Sequence, residues 1–218
     1  MNRFRAVLFD MDGVLVDSEP HWQRFWTEEV FGEAERGTPT LDEVTGRNYR
    51  ESLAELDAEY GFPRSVEHYA RRFEDRAEDI YGTTVTQTPG IDALFDAVRS
   101  RDRGLGVVSS SPHAWISTVV DRFDLDPLDV VVSAMDLDGP GKPAPAIYEH
   151  AAAELGVEPE HCVVVEDSVH GVRAASDAGA TVVRFKYDES VPTVDGVDAL
   201  AEDPTDLRET VLGLLDEE

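Results

Sequence analysis

Asp10 and Asp12 stand two residues apart in Asp10-Met11-Asp12-Gly13, at the end of an apolar run. A second apolar run ends in Ser109-Ser110-Ser111, a third is followed after a loop by Gly141-Lys142-Pro143, and a fourth ends in Glu166-Asp167-Ser168. If these segments meet, they bring carboxylates, hydroxyls and one ammonium to a common point. Like charges a few ångströms apart cannot all stay ionised without a compensating cation. Ligands that are all oxygen, with no imidazole or thiolate, select a hard ion such as Mg²⁺. Mg²⁺ keeps water and favours phosphate oxygens, so a phosphorylated substrate is expected. Lys142 supplies a second positive charge. It is one of only two lysines, with Lys186, in a chain that otherwise uses arginine, which points to a local requirement. Pro143 biases Lys142 toward extended backbone.

The four segments need a scaffold that aligns their ends. Continuous apolar runs at 5–10, 105–109, 130–134, 162–166 and 181–185 have the composition of strands buried on both faces. Helical patterns lie at 89–101, 112–123, 144–155 and 168–178, with a last one at 204–215. This alternation predicts an α/β fold: a Rossmann-like parallel sheet with helices on both faces. In such sheets ligands gather outside the carboxyl ends of the strands, where the motifs lie. Residues 18–85 break the rhythm and contain no clear strand. Trp22, Phe25 and Trp26 form an apolar helical face, and 42–60 and 65–81 have amphipathic helical patterns. The expected organisation is a catalytic core, 1–16 and 87–218, with an inserted α-helical cap, 17–86. The aspartate-rich stretches 121–138 and 188–206 are expected to form solvated faces and turns.

The ordered set Asp-x-Asp-Gly, an apolar strand ending in Ser, Lys-Pro, and Glu-Asp-Ser-x-x-Gly resembles the haloacid dehalogenase superfamily, in its phosphatase branch with a helical cap. The resemblance runs from Phe9 to Gly179. It implies that Asp10 is the nucleophile and forms an aspartyl-phosphate. It implies that Asp12 protonates the leaving oxygen and then accepts a proton from water. Ser109 and the N–H groups after it would hold the transferring phosphoryl group, with Lys142 neutralising charge. Mg²⁺ would be bound by the Asp10 carboxylate, the Asp12 carbonyl and Asp167, with Glu166 directly or through water. The implied activity is hydrolysis of a small phosphate monoester, a sugar phosphate or phosphoglycolate. A mutase similar to β-phosphoglucomutase shares the four motifs. Related mutases carry a histidine two residues past Glu-Pro, where Trp22 stands here, and His21 comes one residue early. A halide-releasing dehalogenase would need neither metal nor the second acid, and a binding protein would not need the acid cluster.

Other residues admit simpler readings. Ser168 suits a helix N-cap and Gly179 a helix stop. Gly13 is a candidate substrate contact, although Gly13 and Gly171 also suit close backbone approach. Ser110 and His21 are candidate substrate contacts, as is Arg47, whose Thr-Gly-Arg turn resembles a substrate loop of related caps; Arg50 is a weaker candidate. Trp22 and Trp26 are read as cap core, and Cys162 as a core thiol.

The chain of 218 residues carries 46 acids, 19 bases and a formal net charge of −27. Such a surface repels nucleic acid and anionic membranes, so neither is an expected partner, and the small phosphorylated metabolite implied by the motifs is. No apolar run spans a bilayer, and the N-terminus reads as a strand instead of a signal peptide. A single cysteine excludes an internal disulfide, and a cytoplasmic setting is expected. Oligomeric state is left open, a monomer being compatible. The acid-rich, lysine-poor composition predicts adaptation to high salt, where counterions screen self-repulsion. Dilution from molar KCl into low-salt buffer is therefore expected to lower the melting temperature and the activity. Full folding and activity in dilute buffer, followed by circular dichroism and turnover, would refute that adaptation.

Overall fold

The computed structural model describes residues 3–185 and 194–217. Six strands form one parallel sheet: β1 (Ala6–Phe9), β2 (Gly104–Ser109), β3 (Val130–Ser133), β4 (Cys162–Glu166), β5 (Thr181–Phe185) and β6 (Ala199–Ala201), in the order β3-β2-β1-β4-β5-β6. Successive side chains point to opposite faces. Val7 and Phe9 of β1 join one apolar cluster with α4 (Ile91–Arg99), α5 (His113–Phe123) and α8 (Pro204–Asp216). Ala6 and Leu8 join the other with α6 (Ala146–Glu154) and α7 (Val169–Asp177). Both faces are thus covered, which is why the strands are apolar throughout.

The register levels the chemistry-bearing ends. Phe9 pairs with both Val107 and Val165, and Asp10 N–H donates to Val165 O at 3.0 Å. Asp10 and Glu166 therefore emerge side by side.

Between β1 and α4 the chain makes the inserted helical cap. It contains α1 (Glu19–Phe25), α2 (Tyr49–Tyr60) and α3 (Val66–Asp79), with π-helical turns at Trp26–Val30 and Ile80–Thr84. Asn48 caps α2 by accepting from Arg50 and Glu51 N–H, and Ser65 caps α3 by accepting from His68 N–H. The cap's aromatic residues belong to the same apolar cluster as α4, α5 and α8. No helix among the described residues is long and apolar enough to cross a membrane.

Local differences from the expected elements have physical causes. The helix expected over 42–60 is interrupted: one 3₁₀ turn covers Leu41–Glu43, Gly46 sits at φ 76°, and Asn48 starts a new helix. Strand β6, Ala-Leu-Ala, is too short to have a periodicity. In 121–138, Asp136 closes a 3₁₀ turn by accepting from Ser133 N–H, while Asp129 ties the start of β3 to β2 by accepting from Leu105 N–H. In the other aspartate-rich stretch, Asp203 caps α8, while 188–193 lies outside the described residues, as does Lys186.

Candidate active site

The turn after β1 is closed by Gly13 N–H to Val16 O and Leu15 N–H to Met11 O, at 2.8 and 2.9 Å. It holds Asp10 and Asp12 at the sheet's carboxyl edge. Gly13 has φ 79°, and a Cβ there would lie 1.9 Å from Asp167 Oδ2. Only glycine permits both the turn and the Asp167 carboxylate pressed against it. Gly171 serves Glu166 likewise, since a Cβ would meet its Oε1 at 1.8 Å.

Lys142 reaches this edge from the loop before α6 and is 1% exposed. Its ammonium donates to Asp10 Oδ1 at 2.6 Å, Glu166 Oε1 at 2.6 Å and Val108 O at 3.3 Å. Three donors thus meet three acceptors. Glu166 is fully buried; it also accepts from Tyr148 OH at 2.6 Å and from Ser168 Oγ at 3.1 Å. Ser168 additionally caps α7 through Gly171 N–H. Asp12 accepts from Ser18 Oγ at 2.6 Å and Tyr81 OH at 2.5 Å on Oδ1, and from Ser111 Oγ at 2.9 Å and Ser109 Oγ at 3.5 Å on Oδ2.

Carboxylate oxygens of Asp10, Glu166 and Asp167 lie within 4.8 Å of one another, a grouping that could hold a metal ion. The donors are all oxygen and suit a hard dication. Electrostatics point the same way. Burial pushes the Asp10 carboxyl well above its ordinary range against the pull of Lys142. Asp167 is pushed well above its range by burial and then by Glu19, Glu166, Asp10 and Asp12.

Above the acids lies a cavity of about 60 Å³. Asp10, Asp12, Asp167, Ser110 and Ser111 form its floor, with Glu19 at one side. Its wall is aromatic: Trp22, Trp26, Tyr49 and Phe73 from the cap and Trp115 from α5. Trp115 stacks on Trp22 and Tyr49 at centroid distances of 5.3 and 5.0 Å, so the stack joins cap to core. The loop before α2 closes the top. Ser110 Oγ donates to Gly46 O at 2.9 Å, Asn48 Nδ2 to Ser110 O at 3.2 Å, and Gly141 N–H to Glu51 at 3.1 Å. Gly46 rests on Ser168, where a Cβ would meet Oγ at 2.2 Å.

Residues 4–179 match the haloacid dehalogenase-like hydrolase family. The protein belongs to that family. This haloacid dehalogenase-like hydrolase is 31% identical to the phosphorylated carbohydrates phosphatase of Thermotoga maritima over 80% of its own length and 81% of that protein's. It is 32% identical to hexitol phosphatase B of Escherichia coli, covering 79% of each chain. Its fold superposes on CbbY from Rhodobacter sphaeroides in complex with phosphate with a TM-score of 0.78, at 24% identity, covering 98% of this chain and 100% of that one. The expected superfamily and α/β fold with an inserted helical cap are those found.

The remaining sequence candidates divide. Arg47 borders the cavity, but its guanidinium is forked onto Glu55 at 2.6 and 2.7 Å. Arg50 turns to Glu67 and Glu74. His21 is not among the residues lining the cavity, and neither is Ser109, which is fully buried and accepts from Ser111 N–H. Trp22 and Trp26 are cap core and cavity wall at once. Sequence reasoning missed Tyr81, Tyr148, Tyr49 and Trp115. Only Trp115 had a signal, its place in the first turn of the helix that follows the Ser109-Ser110-Ser111 strand end.

Burial, reinforced by the Asp12 and Glu166 charges, pushes Glu19 up to about 8 from 4.5. The folded state therefore keeps this proton where the unfolded chain has released it. Glu19 accordingly withdraws stability as pH rises from about 4.5 to about 8 in metal-free protein. Glu19→Gln is expected to raise the metal-free melting temperature at pH 8 and to leave it little changed at pH 4.5. Equal shifts at both pH values would contradict this assignment.

Proposed function

We propose that this hydrolase is a Mg²⁺-dependent phosphatase that cleaves a small phosphate monoester of the sugar phosphate or phosphoglycolate type through an aspartyl-phosphate on Asp10. The observation that carries the reading is Lys142 Nζ, 2.6 Å from both Asp10 and Glu166 beneath the cavity. A carboxylate approaching a phosphate dianion is repelled, and a buried ammonium bonded to that carboxylate offsets the repulsion. Asp10, Asp167 and the Asp12 carbonyl would hold Mg²⁺, with Glu166 beside them through its shared contact with Lys142. When bound there, Mg²⁺ supplies further neutralisation of phosphoryl charge.

An Asp10 oxygen attacks phosphorus while the bond from phosphorus to the leaving oxygen breaks, and Asp12 passes its proton to that oxygen. Water then attacks phosphorus, Asp12 takes the water's proton, and the Asp10–phosphorus bond breaks to release inorganic phosphate. Ser110 and Ser111, which line the cavity, would orient the phosphoryl oxygens, with buried Ser109 fixing the strand end by accepting from Ser111 N–H. The aromatic wall offers flat apolar faces against the C–H face of a sugar, with Glu19 as a partner for a hydroxyl. The phosphatase names of relatives such as hexitol phosphatase B agree with a carbohydrate leaving group. With β-glucose 1-phosphate, free phosphate is the expected product, whereas glucose 6-phosphate would mark a mutase.

Asp10→Asn is expected to abolish phosphate release from a panel of phosphorylated metabolites in high salt while melting no earlier than wild type. Appreciable turnover by that variant would remove Asp10 from the mechanism. Excess EDTA is expected to stop turnover and added Mg²⁺ to restore it, so activity that persists in EDTA would sink the metal dependence.

A further inference from the structure

Asp12 is gripped by more than its own neighbourhood. Three of its partners, Ser18, Ser111 and, at 3.5 Å, Ser109, come from the end of β2 and the segments leaving β1 and β2. The fourth is Tyr81, 69 positions along the chain, whose hydroxyl donates to Asp12 Oδ1 at 2.5 Å. Tyr81 lies in the π-helical turn that ends α3, where the cap returns to the core, and it is 1% exposed.

The direction of this bond is set by another residue. Trp22 Nε1–H can only donate, and it donates to the Tyr81 oxygen at 2.9 Å. The phenol's single proton is thereby directed to Asp12, since Ser111 Oγ is 3.5 Å away. The ring is confined as well. Trp22 and Trp115 lie at centroid distances of 6.0 and 5.7 Å. Arg122 of α5 donates to Tyr81 O at 2.8 Å and to Thr83 O at 3.2 Å, tying the turn to the core.

We propose that Tyr81, oriented by Trp22, is a positioning residue that aims the Asp12 carboxyl at the leaving oxygen, so that proton delivery depends on the cap being seated. The proposal rests on Asp12 acting as the acid, as put forward above. Ser18, Trp22 and Tyr81 all lie within 17–86, so a displaced cap disturbs both partners of Oδ1 together. Ser111 and Ser109 then hold Oδ2 only, and a carboxyl held through one oxygen can turn about its Cβ–Cγ bond. Proton transfer is sensitive to such misalignment.

The test is the dependence of kcat/KM on leaving group, using 4-nitrophenyl phosphate and phenyl phosphate with Mg²⁺. Nitrophenolate departs with little help, whereas phenolate needs its proton. Tyr81→Phe is expected to leave the nitrophenyl substrate within about twofold and to slow phenyl phosphate about tenfold. Trp22→Phe should shift the ratio the same way by less. Tyr69→Phe removes another cap phenol, one bonded to Glu33 at 2.6 Å, and should not move the ratio. A loss of folded protein lowers both rates together and leaves the ratio unchanged. Asp12→Asn separates the two readings. If it slows phenyl phosphate selectively and Tyr81→Phe does not, Tyr81 has no positioning role. If Asp12→Asn itself shows no selectivity, Asp12 is not the acid and both readings fall.

Discussion

A buried ammonium shared by two buried carboxylates constrains the rest of this molecule. Burial alone would lower the Lys142 pKa, but the Asp10 and Glu166 charges override it and hold the group well above its ordinary value. Tyr148 completes the enclosure, with its ring 5.1 Å from the ammonium and its hydroxyl on Glu166. Removing the ammonium would strand both carboxylates, a loss that typically costs roughly 3–5 kcal/mol, whereas losing the Asp10 charge leaves Lys142 paired with Glu166. The arrangement needs β1 and β4 in register, the turn of Gly13 and the loop carrying Lys142 all in place together. With Asp167 added, acids outnumber the single ammonium, and the surplus defines what the site lacks: a further positive charge.

Close approach is the other governing constraint. Gly13, Gly171 and Gly46 each stand where a methyl group would collide with a site residue or its support. The first two let carboxylates lie against backbone. The third lets the cap loop settle on the helix that supports Glu166. Cap and core therefore share one packed boundary, built from backbone as much as from side chains.

This division explains what could be read from sequence. Asp10, Asp12, Glu166 and Asp167 lie in short contiguous motifs next to apolar strands, so their convergence follows from the sheet. Lys142 stood out because lysine is so rare here. Tyr81 and Tyr148 reach the acids from helical segments whose apolar pattern accounts for them without any partner. Arg47 looked like a free cation because Glu55, eight residues on, becomes its neighbour only after the chain turns at Gly46 and Asn48. The break in the helix expected over 42–60 was hidden for the same reason: amphipathic spacing continued through a glycine whose backbone conformation ends the helix.

The aromatic wall has an optical consequence. The chain contains three tryptophans, and Trp22, Trp26 and Trp115 all border the cavity. Two of them, one from each side of the boundary, lie face to face at 5.3 Å. The intrinsic ultraviolet emission of the protein thus originates almost wholly from the cleft. Any separation of the two layers would change that emission without a label attached, so the molecule carries a built-in fluorophore at its own entrance.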